Sequence, residues 1–331
     1  MNDKLSFDKF RLTRGAKPVA CVDIGGTKVA TTLIDANGIG GRAVEPTLKV
    51  GKRDALAQQV IRMLEDCCAA NGMALSDLSA LGVSSCGPFV LVGGCVELAA
   101  PNICGGIAGE RKHALPNSWP SAVLEAPLRR IFPRVRVEND GIGALEAERR
   151  WGALQIDGKP MNHCAYVTWS TGIGVGVCVD GHVLRGKNGN AGHAGHIFVS
   201  DHDDAMCGCG NVGDVEALIG GNAIPRRFSH LGFTDFPTLF QAFYASNPDA
   251  IKILDELCRV MGRMLYNIIV MFDLQRVSLG GSVFWHHREL LLPKLKASIH
   301  GKLPALTDRC ELVPAGLGEH VGDWGAFALV A

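Results

Sequence analysis

Two stretches of this chain follow one plan, and their repetition restricts the fold more than any single motif. Residues 19–35 run from an apolar, β-rich segment through Asp23-Ile-Gly-Gly-Thr-Lys28 into a second apolar segment that closes on Asp35-Ala-Asn-Gly38. Residues 166–181 repeat that order with a β-rich run, the turn Thr171-Gly-Ile-Gly-Val-Gly176, a second run, and Asp180-Gly181. Such runs joined by glycine-rich turns predict β-hairpins. Asp35 and Asp180 lie 145 residues apart, close to half of the 331-residue chain. Glycine turns leave backbone N–H groups bare, and bare N–H groups approach anionic oxygens closely. One such hairpin in each half can cradle a polyphosphate from both sides, so the first expectation is an enzyme that clamps a nucleotide.

The rest of the chain fits two α/β halves. Helical spacing is expected over 54–71, 140–151, 214–230, 248–272, 285–299 and 321–330, and strands over 78–85, 133–137, 276–279 and 310–313. The stretch 93–120 reads as loop, rich in Gly, Pro and Asn. Strands mixed with helices over two similar halves predict two α/β domains with a cleft between them. The expected division is a smaller N-terminal domain over 18–140, joined by the last helix, 320–331, and a larger C-terminal domain over 141–319.

Composition narrows the function. At 47% hydrophobic and 20% charged residues, the chain can bury sizeable cores. Acidic and basic residues balance at 33 each, so the surface as a whole does not attract nucleic acid or anionic lipid. Residues 1–17 lack the apolar stretch of a secretory signal, and no run is long enough to span a bilayer. Twelve cysteines are too sparse for a disulfide scaffold and are expected to be reduced thiols in a cytoplasmic protein.

Three segments carry the chemistry. Asp23-Ile-Gly-Gly-Thr-Lys28 lies between two strands, unlike a Walker loop, which opens a helix. Its alternatives are an ordinary hairpin turn or a phosphate cradle in which Asp23 holds magnesium through water. The counterpart turn in the second half favours the cradle. Glu138-Asn139-Asp140-Gly141 sits at a strand-to-helix junction, where a carboxylate either caps the helix or takes the proton of an attacking hydroxyl. His196, Cys207, Cys209 and Asp214 combine an imidazole, two soft thiolates and a carboxylate. That set suits tetrahedral zinc, with free thiols in a glycine-rich loop as the alternative, and His193, His202 and Asp203 are neighbouring candidates.

With these segments in view, the chain resembles the ROK family of repressors, open reading frames and sugar kinases, over roughly residues 18–331. The likeness rests on the Asp23–Lys28 turn, Cys86-Gly-Pro88, Pro101-Asn102, Glu138-Asn139-Asp140, the signature from Ser170 to His196, the cysteine loop ending in Glu216, and Gly280-Gly281-Ser282. It implies a two-domain actin-like ATPase (sugar kinase) fold with an interdomain cleft, and an ATP- and Mg2+-dependent transfer to the 6-hydroxyl of a hexose-like sugar. By that analogy Asp140 is the base, and Asn102, Asn139, Asp140, His193, His196 and Glu216 hold the sugar. Asp23, Gly25, Gly26, Thr27, Lys28, Thr171 and Gly172, with Gly174, serve the phosphates, and Gly280 and Gly281 the adenosine side. A structural Zn2+ on His196, Cys207, Cys209 and Asp214 would stiffen the loop that presents His196 and Glu216.

The chain departs from the family's pattern twice. His193 stands where members commonly carry the Glu of Gly-Glu-x-Gly-His, which is similar to some bacterial N-acetylmannosamine kinases. Asp214 stands where a third zinc cysteine is usual, and a carboxylate makes the weaker site. N-acetylmannosamine is therefore the expected substrate, with glucose, N-acetylglucosamine or another aminosugar or cyclitol as alternatives. From another class, the alternative is a sugar-binding regulatory protein without kinase activity. The family's repressors carry a helix-turn-helix domain ahead of the first turn. Only 22 residues precede Asp23 here, so no nucleic acid partner is expected. Sugar and ATP are the expected ligands, no membrane partner is expected, and a homodimer is the expected assembly.

Overall fold

Val19–Ile24 (β1) is buried at every position except Asp23, the pattern of a strand covered on both faces. The structure is a computed structural model that describes residues 11–107, 115–201 and 205–331. β1 turns back antiparallel into Lys28–Asp35 (β2), which pairs outward with Gly38–Pro46 (β3). On its other side β1 runs parallel to Ala80–Ser85 (β4). A small antiparallel sheet follows, made of Phe89–Val92 (β5), Cys95–Leu98 (β6) and Ala122–Val123 (β7). Val135–Asn139 (β8) returns parallel to β4. The main sheet therefore has the order β3-β2-β1-β4-β8.

Alternation along these strands sorts the two faces. Ala20, Val22, Leu81 and Val83 share a core with Leu56, Val60 and Met63 of Ala55–Ala70 (α1), an amphipathic helix that packs on β2 and β3. The opposite face carries Gly82, and a Cβ there would lie 2.2 Å from the carbonyl oxygen of Ala326. The C-terminal helix Val321–Ala328 thus lies on the backbone of β4, and it also packs on β1. It meets Asp140–Trp151 (α3), which follows the short Glu125–Arg129 (α2), at Gly325 and Gly143, and a Cβ on Gly325 would lie 3.0 Å from the Gly143 carbonyl carbon.

The second half contains a two-residue ladder, Gln155–Ile156 (β9) with Lys159–Pro160 (β10), and then repeats the main sheet. Cys164–Trp169 (β11), Ile173–Val179 (β12), His182–Val183 (β13), Arg276–Gly280 (β14) and Glu311–Pro314 (β15) take the order β13-β12-β11-β14-β15. The first pairs are antiparallel and the last two parallel, as in the first half. β1 and β11 begin at 19 and 164, the 145-residue offset seen in the sequence. Helices supply the core of this sheet, chief among them Pro248–Phe272, capped by Asn247 through the N–H groups of Asp249 and Ala250.

Two compact units result. One holds the described residues up to Ala147, Arg185–Ala191 and His320–Ala331; the other holds Glu148–Leu184 and Gly192–Glu319. The division falls inside α3, seven residues past position 140. Arg185–Ala191 groups with the first unit because Arg185 bonds Glu138 at 2.7 Å and Glu146 at 3.2 Å, while the Asn190 amide bonds both backbone groups of Phe89.

Several elements lie outside the sequence-based expectations. β5 and β6 form partly within the expected loop, and Phe236–Tyr244 is a helix marked by its Asp235 cap and Pro237. The 214–230 region is two short helices, Val215–Ile219 and Ala223–Phe228, separated at Gly220-Gly221.

Candidate active site

In the first unit, Ile24, Ser85 and Asn139 stand side by side at the carboxyl ends of three parallel strands. That edge is where open α/β sheets place their ligands. The turn after β1 closes by a hydrogen bond from Gly25 N–H to the Lys28 carbonyl, and the Thr47 hydroxyl donates to the Gly25 carbonyl at 2.7 Å. The N–H groups of Gly26 and Thr27 make no hydrogen bond among the described residues. The exposed Asn102 lies against this turn, so the first unit brings together an expected phosphate turn and an expected sugar contact.

Asp23 is partly buried, and its pKa is pushed up to about 7. Burial is the first cause and the charges of Asp140 and Asp323 add to it, while Lys28 and Arg42 oppose. Its carboxylate accepts no hydrogen bond among the described residues. Asp140 opens α3, whose positive end favours an anion. The Gly141 N–H reaches both Asn139 Oδ1 at 3.0 Å and Asp140 Oδ1 at 2.8 Å, so Asn139 shares the capping.

In the second unit the corresponding turn is Ser170–Gly172, closed by Ser170 N–H on the Gly172 carbonyl. Thr171 and Gly172 leave their N–H groups bare among the described residues, 145 positions after Gly26 and Thr27. Gly174 lies inside β12 opposite Thr168 rather than in the turn. Glu216 braces the turn from behind: it accepts the Ile173 N–H at 2.9 Å, and a Cβ on Gly172 would come within 2.5 Å of its carboxylate. Burial raises the Glu216 pKa. Gly280 ends β14, and Gly281, at φ +86°, lies so close to β11 that a Cβ would meet the Trp169 carbonyl at 2.4 Å. The hydroxyls of Ser170 and Ser282 are 3.1 Å apart, which joins the expected phosphate turn to the expected adenosine-side turn.

His196, Cys207, Cys209 and Asp214 converge in this unit with all four ligand atoms within 4.8 Å of one another. His196 Nδ1 is 3.4 Å from Asp214 Oδ2 and 3.6 Å from Cys207 Sγ, and Cys209 Sγ is 3.5 Å from Asp214 Oδ2. Zinc at its usual bond lengths sets such donor pairs about 3.4–3.6 Å apart at tetrahedral angles, so the four residues fit the ion. Asp214 has two tasks, because its Oδ1 caps the helix Val215–Ile219 through the Ala217 N–H at 2.7 Å. His196 turns Nδ1 to the cluster, and its ring lies 6.0 Å from that of His193. His202 and Asp203 lie outside the described residues.

Sequence reasoning missed Asp323, Arg42 and Glu148. Asp323 signals itself only as a lone acid in an apolar helix, and Arg42 Nη2 reaches both its oxygens at 3.4 Å. Glu148 is fully buried and accepts from Ala153, Gly316 and Leu317 N–H groups and the Ser278 hydroxyl. It thereby fixes the turn after β15. No local pattern announces a carboxylate that takes three of its four donors from 130 residues and more away.

Comparison with known proteins places these turns in company. The profile of the ROK family matches residues 19–331. A glucokinase of Aeropyrum pernix is 29% identical over 94% of this chain and 96% of its own. An N-acetylmannosamine kinase of Salmonella typhi is 31% identical over 79% of this chain and 82% of its own. Among solved structures, a ROK hexokinase from Thermus thermophilus superposes with a TM-score of 0.69 at 29% identity, covering 95% of this chain and 97% of that one. Among the described residues, no helix is long and apolar enough to cross a membrane.

Proposed function

The chain belongs to the ROK family and is an ATP-dependent carbohydrate kinase, and on that premise we propose that it phosphorylates the 6-hydroxyl of a hexose or N-acetylhexosamine, N-acetylmannosamine foremost. The observation that carries this reading is the pair of bare N–H groups repeated in both turns, Gly26 and Thr27 in one unit and Thr171 and Gly172 in the other. Two donors on each turn match the oxygens of a triphosphate, and the Lys28 ammonium adds charge.

The sugar hydroxyl attacks the γ-phosphorus, its proton passes to the Asp140 carboxylate, and the bond from phosphorus to the β,γ-bridging oxygen breaks to release ADP. Asn102 and Asn139 orient the acceptor beside Asp140, while His193 and the Nε2 of His196 offer donors and acceptors to the other hydroxyls or an N-acyl group. Asp23 would hold Mg2+ through water, and the ion would supply positive charge to the phosphates. Zinc held by His196, Cys207, Cys209 and Asp214 would keep the His196 ring oriented.

The reading is tested by ADP release over a panel of hexoses and N-acetylhexosamines, with wild type and Asp140→Asn. N-acetylmannosamine should give the highest kcat/KM. The variant should lose about 10²–10⁴ in kcat, yet still be protected from thermal unfolding by sugar. Near-normal turnover of Asp140→Asn would remove Asp140 as the base, and a flat response to every sugar would end the kinase reading.

A further inference from the structure

Asp323 lies in the first turn of the C-terminal helix, which carries no expected site residue. Its neighbour Gly322 lies against the Asp23 carboxylate, with Oδ2 3.2 Å from where a Cβ would be. Two other carboxylates act on Asp23 by their charge, Asp140 at the head of α3 and Asp323 at the head of the last helix, next to Gly322. A second feature at this place calls for a ligand. Ser84 is fully buried, and its Oγ has no hydrogen-bond partner among the described residues. Ser84 is the register partner of Asp23, so both side chains rise from the same face of the sheet. Its Oγ lies beside Gly143, in the first turn of the helix that Asp140 opens.

We propose that Asp323 is a third carboxylate of the nucleotide's metal site, acting with Asp23 and Asp140 through the water shell of a divalent cation, and that the Ser84 hydroxyl bonds one of those waters. The proposal rests on the kinase reading. Mg2+ keeps several waters when it binds, so carboxylates that ring a hydrated ion need not touch it. Arg42 fits this role as an exchangeable counter-ion. It bonds both Asp323 oxygens at 3.4 Å and is half exposed, so its guanidinium can move to solvent when the divalent ion arrives. Lys28 is the other cation facing Asp23.

A purely structural Arg42–Asp323 pair and a metal-site pair predict opposite outcomes. Binding of Mn2+ in the presence of ADP, read from the free-ion signal by electron paramagnetic resonance, needs no turnover. Asp323→Asn should weaken Mn2+ binding about tenfold by removing one nearby charge. Arg42→Ala should tighten it by removing the competing cation. Ser84→Ala should weaken it about threefold by removing one hydrogen bond to a bound water. If Arg42→Ala weakens Mn2+ as much as Asp323→Asn does, the pair is a structural brace and the proposal falls. If Asp323→Asn binds Mn2+ as wild type does while remaining folded by circular dichroism, it also falls. Should wild type itself bind no Mn2+ with ADP, the kinase reading fails first, and that outcome is distinct from the other two.

Discussion

Asn102 holds its amide nitrogen against the α-carbon of Gly26, where an added Cβ would lie 2.1 Å from Nδ2. The expected sugar contact and the expected phosphate turn therefore set each other's position. Gly26→Ala must displace one of them. It should raise the KM for ATP and for sugar and lower kcat at least about tenfold, because misplacing a reacting group by an ångström costs that much or more. Asn102→Ala makes room for the new methyl, so the double variant should recover ATP affinity but not sugar affinity. Additive losses in that double-mutant cycle would show the two groups to be independent.

Metal content should follow Asp214. Protein purified without chelator is expected to carry about one zinc, and Asp214→Ala none. The variant also loses the Ala217 cap, worth about 1 kcal/mol. A chelator should lower the melting temperature of wild type and leave that of Asp214→Ala unchanged. Equal zinc in both proteins would exclude Asp214 as a ligand.

Sugar preference should turn on His193. A neutral imidazole can donate as well as accept, whereas an ionised glutamate only accepts. His193→Glu is expected to shift relative kcat/KM from N-acetylmannosamine towards glucose. Unchanged ratios across the panel would show that selection lies elsewhere.

Asp23 makes stability depend on pH in a particular sense. Its folded pKa, about 7, lies above the ordinary aspartate value of 3.8, so between those limits the folded protein holds a proton that the unfolded chain has lost. Stability therefore falls as pH rises across that window. In chelator-containing buffer, Asp23→Asn should melt near wild type at pH 4.5 and above it at pH 8. A gain in melting temperature that is the same at both pH values would contradict this.

The hairpins, α1, α3 and the helix Pro248–Phe272 were legible in the sequence because each carries its own periodicity and its own stop or cap. β3 was not: three glycines and alternating exposure blur the apolar rhythm of an edge strand. The four-residue candidate metal cluster could be read because soft ligands are rare and close in sequence. The brace from Glu216 to Ile173 and the seat of Asp323 beside Asp23 could not. Both arise where segments far apart in the chain meet, and neither leaves a local trace.

The first unit takes its final helix from His320–Ala331, and that helix lies directly on β4 at Gly82. β4 is therefore synthesised long before the helix that covers it, so its face at Gly82 stays bare while the second unit is being made. Removing Val321–Ala328 would strip the first sheet of that wall.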